Sequence, residues 1–306
     1  MGTFLYIISN IIIPIFILIA IGFLAQKKLK MDVRTFAKVN MFIFLPAIIF
    51  TKMYRTEVTL QLFGTVMIYL LAVFFVMMTL GMVIARLLNY PRGLRNAFLN
   101  SILFFNGGNY GLPVAEIAFQ SNPLATTAQI FIMVISHILL NTFGIFQASS
   151  GKEGNRDAFK NVLTMPAIHM LVLALVIKTL HVSVPEFLMV PVENLSKGFI
   201  PVALITLGVQ LAEVKVSVKV KDILISSSLR LILAPIIGFM LVNLMGVEGI
   251  LAKVLVIGVA TPTAVNIAII AREFNNEPDY SSQTVFASTL LSVITISFLI
   301  LIMEYI

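Results

Sequence analysis

Two short stretches hold the residue types from which a binding site could be built. Asn106-Gly-Gly-Asn-Tyr-Gly-Leu-Pro113 places three glycines, one proline and two asparagines within eight residues, and Thr261-Pro-Thr-Ala-Val-Asn266 gathers two threonines, a proline and an asparagine. Regular helix is costly there, because Gly costs about 1 kcal/mol and Pro about 3 relative to Ala. A helix that restarts after such a break presents free N–H groups and the positive end of its dipole. Amide and hydroxyl side chains add neutral donors. Together they could hold a carboxylate without a full positive charge. The candidate binding set is Asn106, Asn109, Tyr110, Gly111, Pro113, Thr261, Pro262, Thr263 and Asn266. Asn106 and Asn266 are read as ligand-binding groups. Tyr110, Thr261 and Thr263 either bind ligand or satisfy backbone groups freed by the breaks, and the glycines shape the backbone.

Glu116, three residues past Pro113, is the most deeply placed carboxylate. It either couples a cation, Na⁺ or H⁺, or ends a helix at a solvated mouth. His137 and Asn141 are one turn apart, as a proton relay or as a packed pair. Arg230 either attracts an anion in a vestibule or snorkels or pairs with an acid. No catalytic residue, metal site or organic cofactor is expected, since the chain has no Cys and three His.

Both stretches must be placed by what surrounds them. Of the 306 residues, 59 % are hydrophobic and 11 % charged, and mean hydropathy is +1.02. Soluble domains are nearer a quarter charged, so this is a polytopic membrane protein. The net charge of +7 forms no single basic face, so no nucleic-acid partner is expected. A membrane helix needs roughly 20 apolar residues. Cutting the chain where charges return predicts ten spans, at about 4–26, 36–54, 61–88, 95–120, 124–147, 158–180, 192–213, 222–245, 249–273 and 280–304. The two chemical stretches then fall at mid-membrane depth in spans 4 and 9. Unwound backbone is tolerated there only when buried in protein or lining a cavity.

Prolines recur at matching offsets: Pro14 with Pro166, Pro46 with Pro201, and Pro113 with Pro262. Five spans per half is odd, so the second half, 151–306, enters from the side opposite to the first, 1–150. That predicts an inverted repeat, with the substrate site where the repeats meet. Pro14, Pro166 and Pro235 are read as helix kinks.

These residues resemble the auxin efflux carrier family, whose bacterial members include proteins classed as malate or other organic-acid permeases. The resemblance runs essentially end to end. It is carried by Asn106 to Pro113, Pro201-Val-Ala-Leu-Ile-Thr-Leu-Gly208, Thr261 to Asn266 and Ala271-Arg-Glu-Phe-Asn-Asn-Glu-Pro-Asp279. It implies an all-α fold of two inverted five-helix repeats, related to bile acid:sodium symporters, with broken helices 4 and 9 crossing. It also implies a scaffold of helices 1, 2, 6 and 7, a transport domain of helices 3–5 and 8–10, an elevator-type cycle and a homodimer through the scaffold. Plant members contact the substrate carboxylate through an asparagine that aligns with Asn106. Phe105 and Ile267 stand where those members carry prolines, and their long loop is reduced to Ala148–Ala158.

The expected function is secondary-active transport of organic anions, malate-like or auxin-like acids. An anion channel or a substrate-sensing membrane protein are the alternatives. An intramembrane enzyme is disfavoured, since Asp32, Asp157, Asp222 and Asp279 all fall in loops or at helix ends.

Positive charge sets orientation. Alternate connections carry fifteen Lys and Arg (Lys27, Lys28, Lys30, Arg34, Lys38, Arg86, Arg92, Arg95, Lys152, Arg156, Lys160, Lys215, Lys219, Lys221, Arg272) against five (Lys52, Arg55, Lys178, Lys197, Lys253). The richer set is expected in the cytoplasm of an inner-membrane protein, with both termini outside. Met1 to Gln26 has no charged leader region, so no cleaved signal peptide is expected. Cysteines introduced at Gly2 and Ser150 should therefore react with impermeant reagents from opposite sides. Labelling of both from one side would rule out halves with an odd number of spans.

Overall fold

The computed structural model describes residues 2–56, 59–149, 165–214 and 220–304. Among these the chain is helical, with no strand beyond one isolated bridge. In chain order we label α1 (2–29), α2 (33–55), α3 (Leu60–Leu87), α4 (Arg92–Leu103), α5 (107–118), α6 (123–148), α7 (Pro166–Thr179), α8 (Glu186–Ala212), α9 (220–244), α10 (Gly249–Val259), α11 (Val265–Glu273) and α12 (Pro278–Glu304). Seven are long and apolar enough to cross a membrane: α1, α2, α3, α6, α8, α9 and α12. Large apolar side chains such as Ile17, Leu24, Phe75, Ile232 and Phe298 point outward, as a lipid-facing surface requires. This is a multi-pass membrane protein. The loop Ala148–Ala158 and the start of span 6 fall largely outside the described residues.

Prolines shape the helices in a regular way. Among the described residues, four of five π turns end two residues before a proline: Ile8–Ile12 before Pro14, Asn40–Phe44 before Pro46, Gly107–Gly111 before Pro113, and Leu229–Leu233 before Pro235. Proline offers no N–H and its ring clashes with the carbonyl four residues back. Widening that turn relieves the clash while the chain stays helical. Pro14 and Pro235 thus distort helices without breaking them. Pro166 instead opens α7 at its first residue, where the missing N–H costs nothing. Pro201, matched by offset to Pro46, lies inside the uninterrupted α8.

Two groups of helices pack among themselves. α1, α2, α7 and α8 form one, and α3, α4, α6, α9, α10 and α12 form the other. In the first, α1 and α8 approach until their backbones touch. A Cβ on Gly22 would lie 2.1 Å from the Ile205 carbonyl oxygen, and one on Gly208 would lie 1.9 Å from that of Ile19. Small residues permit such contact where lipid offers no hydrophobic drive to helix association.

Side chains tie the ends of the bundle. Asp32 caps α2, accepting from the Arg34 N–H and the Thr35 hydroxyl, and these bonds, the hydroxyl first, lower its pKa. Tyr90, in the loop between α3 and α4, donates to Asp222 at 2.7 Å. Burial, then this carboxylate, pushes its phenol above the usual range. At the other end of α2, Arg55 pairs with Glu193 and Lys178 donates to the Thr56 carbonyl.

Replacing Gly208 with Val should force α1 and α8 apart, at about 1–3 kcal/mol for overpacking. The melting temperature in detergent should fall by several degrees, whereas Gly64→Ala, where no atom lies within 4 Å of the added Cβ, should leave it unchanged or slightly higher.

Candidate functional site: a strapped helix crossing

The two broken spans meet in the middle of the bundle. α4 stops at Leu103 and α5 begins at Gly107; α10 stops at Val259 and α11 begins at Val265. The intervening residues run antiparallel, with Phe105 bridged to Thr263. The Asn106 N–H donates to the Pro262 carbonyl at 2.7 Å, and the Ala264 N–H to the Phe104 carbonyl at 3.0 Å. These two bonds make the breaks mutually dependent, because each supplies the partner the other has lost.

Side chains complete the strap. The Thr263 hydroxyl donates to the Ser101 carbonyl at 2.9 Å, and the Thr263 N–H to Ser288 Oγ at 3.2 Å. The Thr261 hydroxyl donates to the Gly258 carbonyl at 2.9 Å. Gln129 from α6 donates to the Gly107 carbonyl at 2.9 Å, and Ser292 from α12 donates to the Tyr110 hydroxyl at 2.9 Å. Asn40 from α2 donates to Asn109 Oδ1 at 2.9 Å. Gly111 is required by close approach: a Cβ there would lie 2.6 Å from Gln129 Nε2.

The breaks sit a few residues from where composition places them. The glycine run is helical, as a π turn, and the unwound residues are Phe104–Asn106. In the second span the break covers 260–264, and Asn266 and Ile267 already belong to α11. Phe105, where the resemblance expects proline, uses no N–H in the strap, so a residue lacking that donor would serve the backbone equally.

The structure draws Asn106, Asn109, Tyr110, Gly111, Thr261, Pro262 and Thr263 into one cluster, and Pro113 opens the regular part of α5. The Thr261 and Thr263 hydroxyls are engaged on carbonyls, so they hold the backbone. Tyr110 is buried with its oxygen on Ser292. Asn106 differs: it is 7 % exposed, and its Nδ2 has no partner. A buried unsatisfied donor costs about 1–3 kcal/mol. Asn266, one turn into α11, is exposed and takes no part in this network.

The titratable candidates lie around this cluster. Glu116 is 6 % exposed and forms an ion pair with Lys52 of α2 at 2.8 Å. It also accepts from the hydroxyls of Ser121, at 3.0 Å, and Thr126. His137 is half-buried near Gly108, and Asn141 donates to its backbone carbonyl at 2.9 Å rather than to its ring. Arg230 neither snorkels nor reaches a vestibule: it is 1 % exposed and bonds the Ile102 carbonyl at 2.8 Å. Asn40 and Gln129 were not singled out from sequence, although each is an amide within an apolar run.

Beside the crossing lies a cavity of about 630 Å³, lined by residues of α2, α8, α11 and α12 and reaching Val265. Arg34, Lys38 and Arg272 line it against Glu213 and Glu273, with Gln210 and Ser282. It occupies the end of α2 opposite to Lys52. Among the described residues no cluster of three or more His, Asp or Glu could hold a metal ion.

Two comparisons with known proteins concern membrane transport. A family model described as a membrane transport protein matches residues 155–300. The chain is also 25 % identical over 289 residues to an uncharacterized transporter of Methanothermobacter thermautotrophicus, covering 92 % of this chain and 91 % of that protein. The matched family is thus described as membrane transport proteins, and the relative as a transporter.

The Lys52–Glu116 pair joins α2 to α5, and removing one partner leaves the other charge uncompensated. Glu116→Gln and Lys52→Met should each destabilise the protein by about 1.5–3 kcal/mol. The double variant should lose less than their sum. Additive losses in chemical or thermal unfolding would show that the pair contributes nothing.

Proposed function

We propose that this transporter carries organic anions by a secondary-active, elevator-type cycle, with the substrate carboxylate held at the crossing by Asn106. The observation that carries the reading is the unpartnered Nδ2 of Asn106, a buried donor left open where two helices are interrupted together. First-turn N–H groups of α5 lie beside it, and such groups have no partner within their own helix. Neutral donors and a helix dipole suit a carboxylate at mid-membrane depth.

The packing of α1, α2, α7 and α8 as one group supports the scaffold of the proposed cycle. The second group, with the strapped crossing, is the part that moves. Ten spans in two inverted halves follow if each broken pair, α4 with α5 and α10 with α11, counts as one span. The basic cavity serves as the cytoplasmic entry, where Arg34, Lys38 and Arg272 raise the local anion concentration. A homodimer through the scaffold completes the proposal.

Purified protein should be screened by thermal shift against organic acids, since a ligand that binds only the folded state raises stability. A hydrogen bond to a charged group is worth about 1.5–3 kcal/mol. Asn106→Ala should therefore weaken acid binding by roughly tenfold to a hundredfold, without a comparable loss of stability. Asn106→Asp should abolish it by setting like charges together. An acid bound equally well by a folded Asn106→Asp protein would place the anion elsewhere. Saturable flux with counter-exchange distinguishes the carrier from a channel.

A further inference from the structure

We propose that Arg230 is a built-in cation of the crossing, standing where a broken helix would otherwise recruit a small monovalent ion, so that organic-acid binding needs no Na⁺. The inference rests on the organic-anion reading above and deepens it. α4 ends inside the bundle, and the last carbonyls of a helix lack partners and carry the negative end of its dipole. In carriers with interrupted helices, such carbonyls are the groups that coordinate a coupling cation.

Here three of the last four are already taken. The Asn100 carbonyl accepts from the Phe104 N–H at 3.2 Å and the Ser101 carbonyl from the Thr263 hydroxyl at 2.9 Å. The Ile102 carbonyl accepts from Arg230 Nη1 at 2.8 Å. The guanidinium reaches it from the π turn Leu229–Leu233 of α9, and lies 5.3 Å from the ring centre of Phe105. A cation–π contact and a helix C-terminus both favour positive charge.

No carboxylate among the described residues offsets that charge. Glu116 and Glu193 instead bind Lys52 and Arg55. Arg230 Nε and Nη2 are buried without a hydrogen-bond partner. A charge inside a membrane protein is costly and marks function, and this one would be wasteful as simple packing. Its placement gives it a task. Phe105 belongs to the extended segment bridged to Thr263, and its ring is the one Arg230 lies against. The chain turns at the next residue, Asn106, with φ −82° and ψ 67°. A fixed positive charge thus lies beside the short segment that carries Asn106, with little water between to screen it.

The test uses full-length protein and a panel of acetate, succinate, malate and citrate, each as its choline salt. Dissociation constants are measured by calorimetry in NaCl and in choline chloride. The tightest binder should bind equally in both, within about twofold. Arg230→Ala should weaken binding at least tenfold, and millimolar methylguanidinium should restore part of the loss by refilling the cavity. Binding that weakens tenfold or more when choline replaces Na⁺ would overturn the inference, as would a folded Arg230→Ala protein that binds like the parent. Should that variant fail to fold, the salt comparison decides alone. Binding in neither salt would overturn the organic-anion reading and this inference with it, whereas binding only in Na⁺ would overturn this inference alone.

Discussion

A helix interrupted inside a membrane must find new partners for its freed backbone groups within the protein, because lipid offers none. That constraint explains the centre of this molecule. Two interruptions are laid against one another so that Asn106 donates to Pro262 and Ala264 donates to Phe104. Neither break would be tolerable alone. The surrounding polar residues extend the same bookkeeping: Thr263 covers Ser101, Gln129 covers Gly107, and Arg230 covers Ile102. What remains open after this accounting is therefore informative. Asn106 Nδ2 and two nitrogens of Arg230 are buried donors that the fold leaves unused.

These donors favour negative charge, and Asn40 Oδ1 and Asn100 Oδ1 are buried acceptors left open as well. Donors and positive charge at a crossing select against cations and for anions. The charge of Arg230 lies against Phe105, one residue before the neutral amide of Asn106. The basic wall of the 630 Å³ cavity continues that preference toward one end of the bundle. At the opposite end, lysine and arginine are consumed in local contacts, as Lys52 with Glu116 and Arg55 with Glu193 show. The two ends of the bundle thus differ in the availability of their charge.

Much of this was legible in the residues themselves. Charge-free gaps located the long helices, because the cost of a charge in hydrocarbon depends on composition more than on partners. The two interrupted spans were legible from clustered Gly, Pro, Asn and Thr. Their exact edges were not. Asn106 to Pro113 looked like unwound chain, yet the glycine run folds as a π turn that relieves the clash of Pro113. The unwound residues, Phe104 and Phe105 among them, carry no helix-breaking signature; they are held extended by bonds to residues more than 150 positions away. Glu116 stood out as a deep carboxylate, but its partner Lys52 could be found only in three dimensions. Arg230 was readable as unusual, but none of the roles open to it, a vestibule, snorkelling or an acid partner, is the one found, because its acceptor lies 128 residues earlier. Asn266 matches Asn106 along the chain, while the fold exposes one and buries the other.

The central claim is that a substrate carboxylate sits at the crossing against Asn106. The most direct measurement is the position of a bound acid marked with a heavy atom, such as bromosuccinate, located by anomalous diffraction from crystals of the complex. One carboxylate should lie within hydrogen-bond distance of Asn106 Nδ2, with the bromine signal beside the unwound residues 104–106. A bromine signal confined to the cavity wall near Arg34, Lys38 and Arg272, with the crossing empty, would contradict the account.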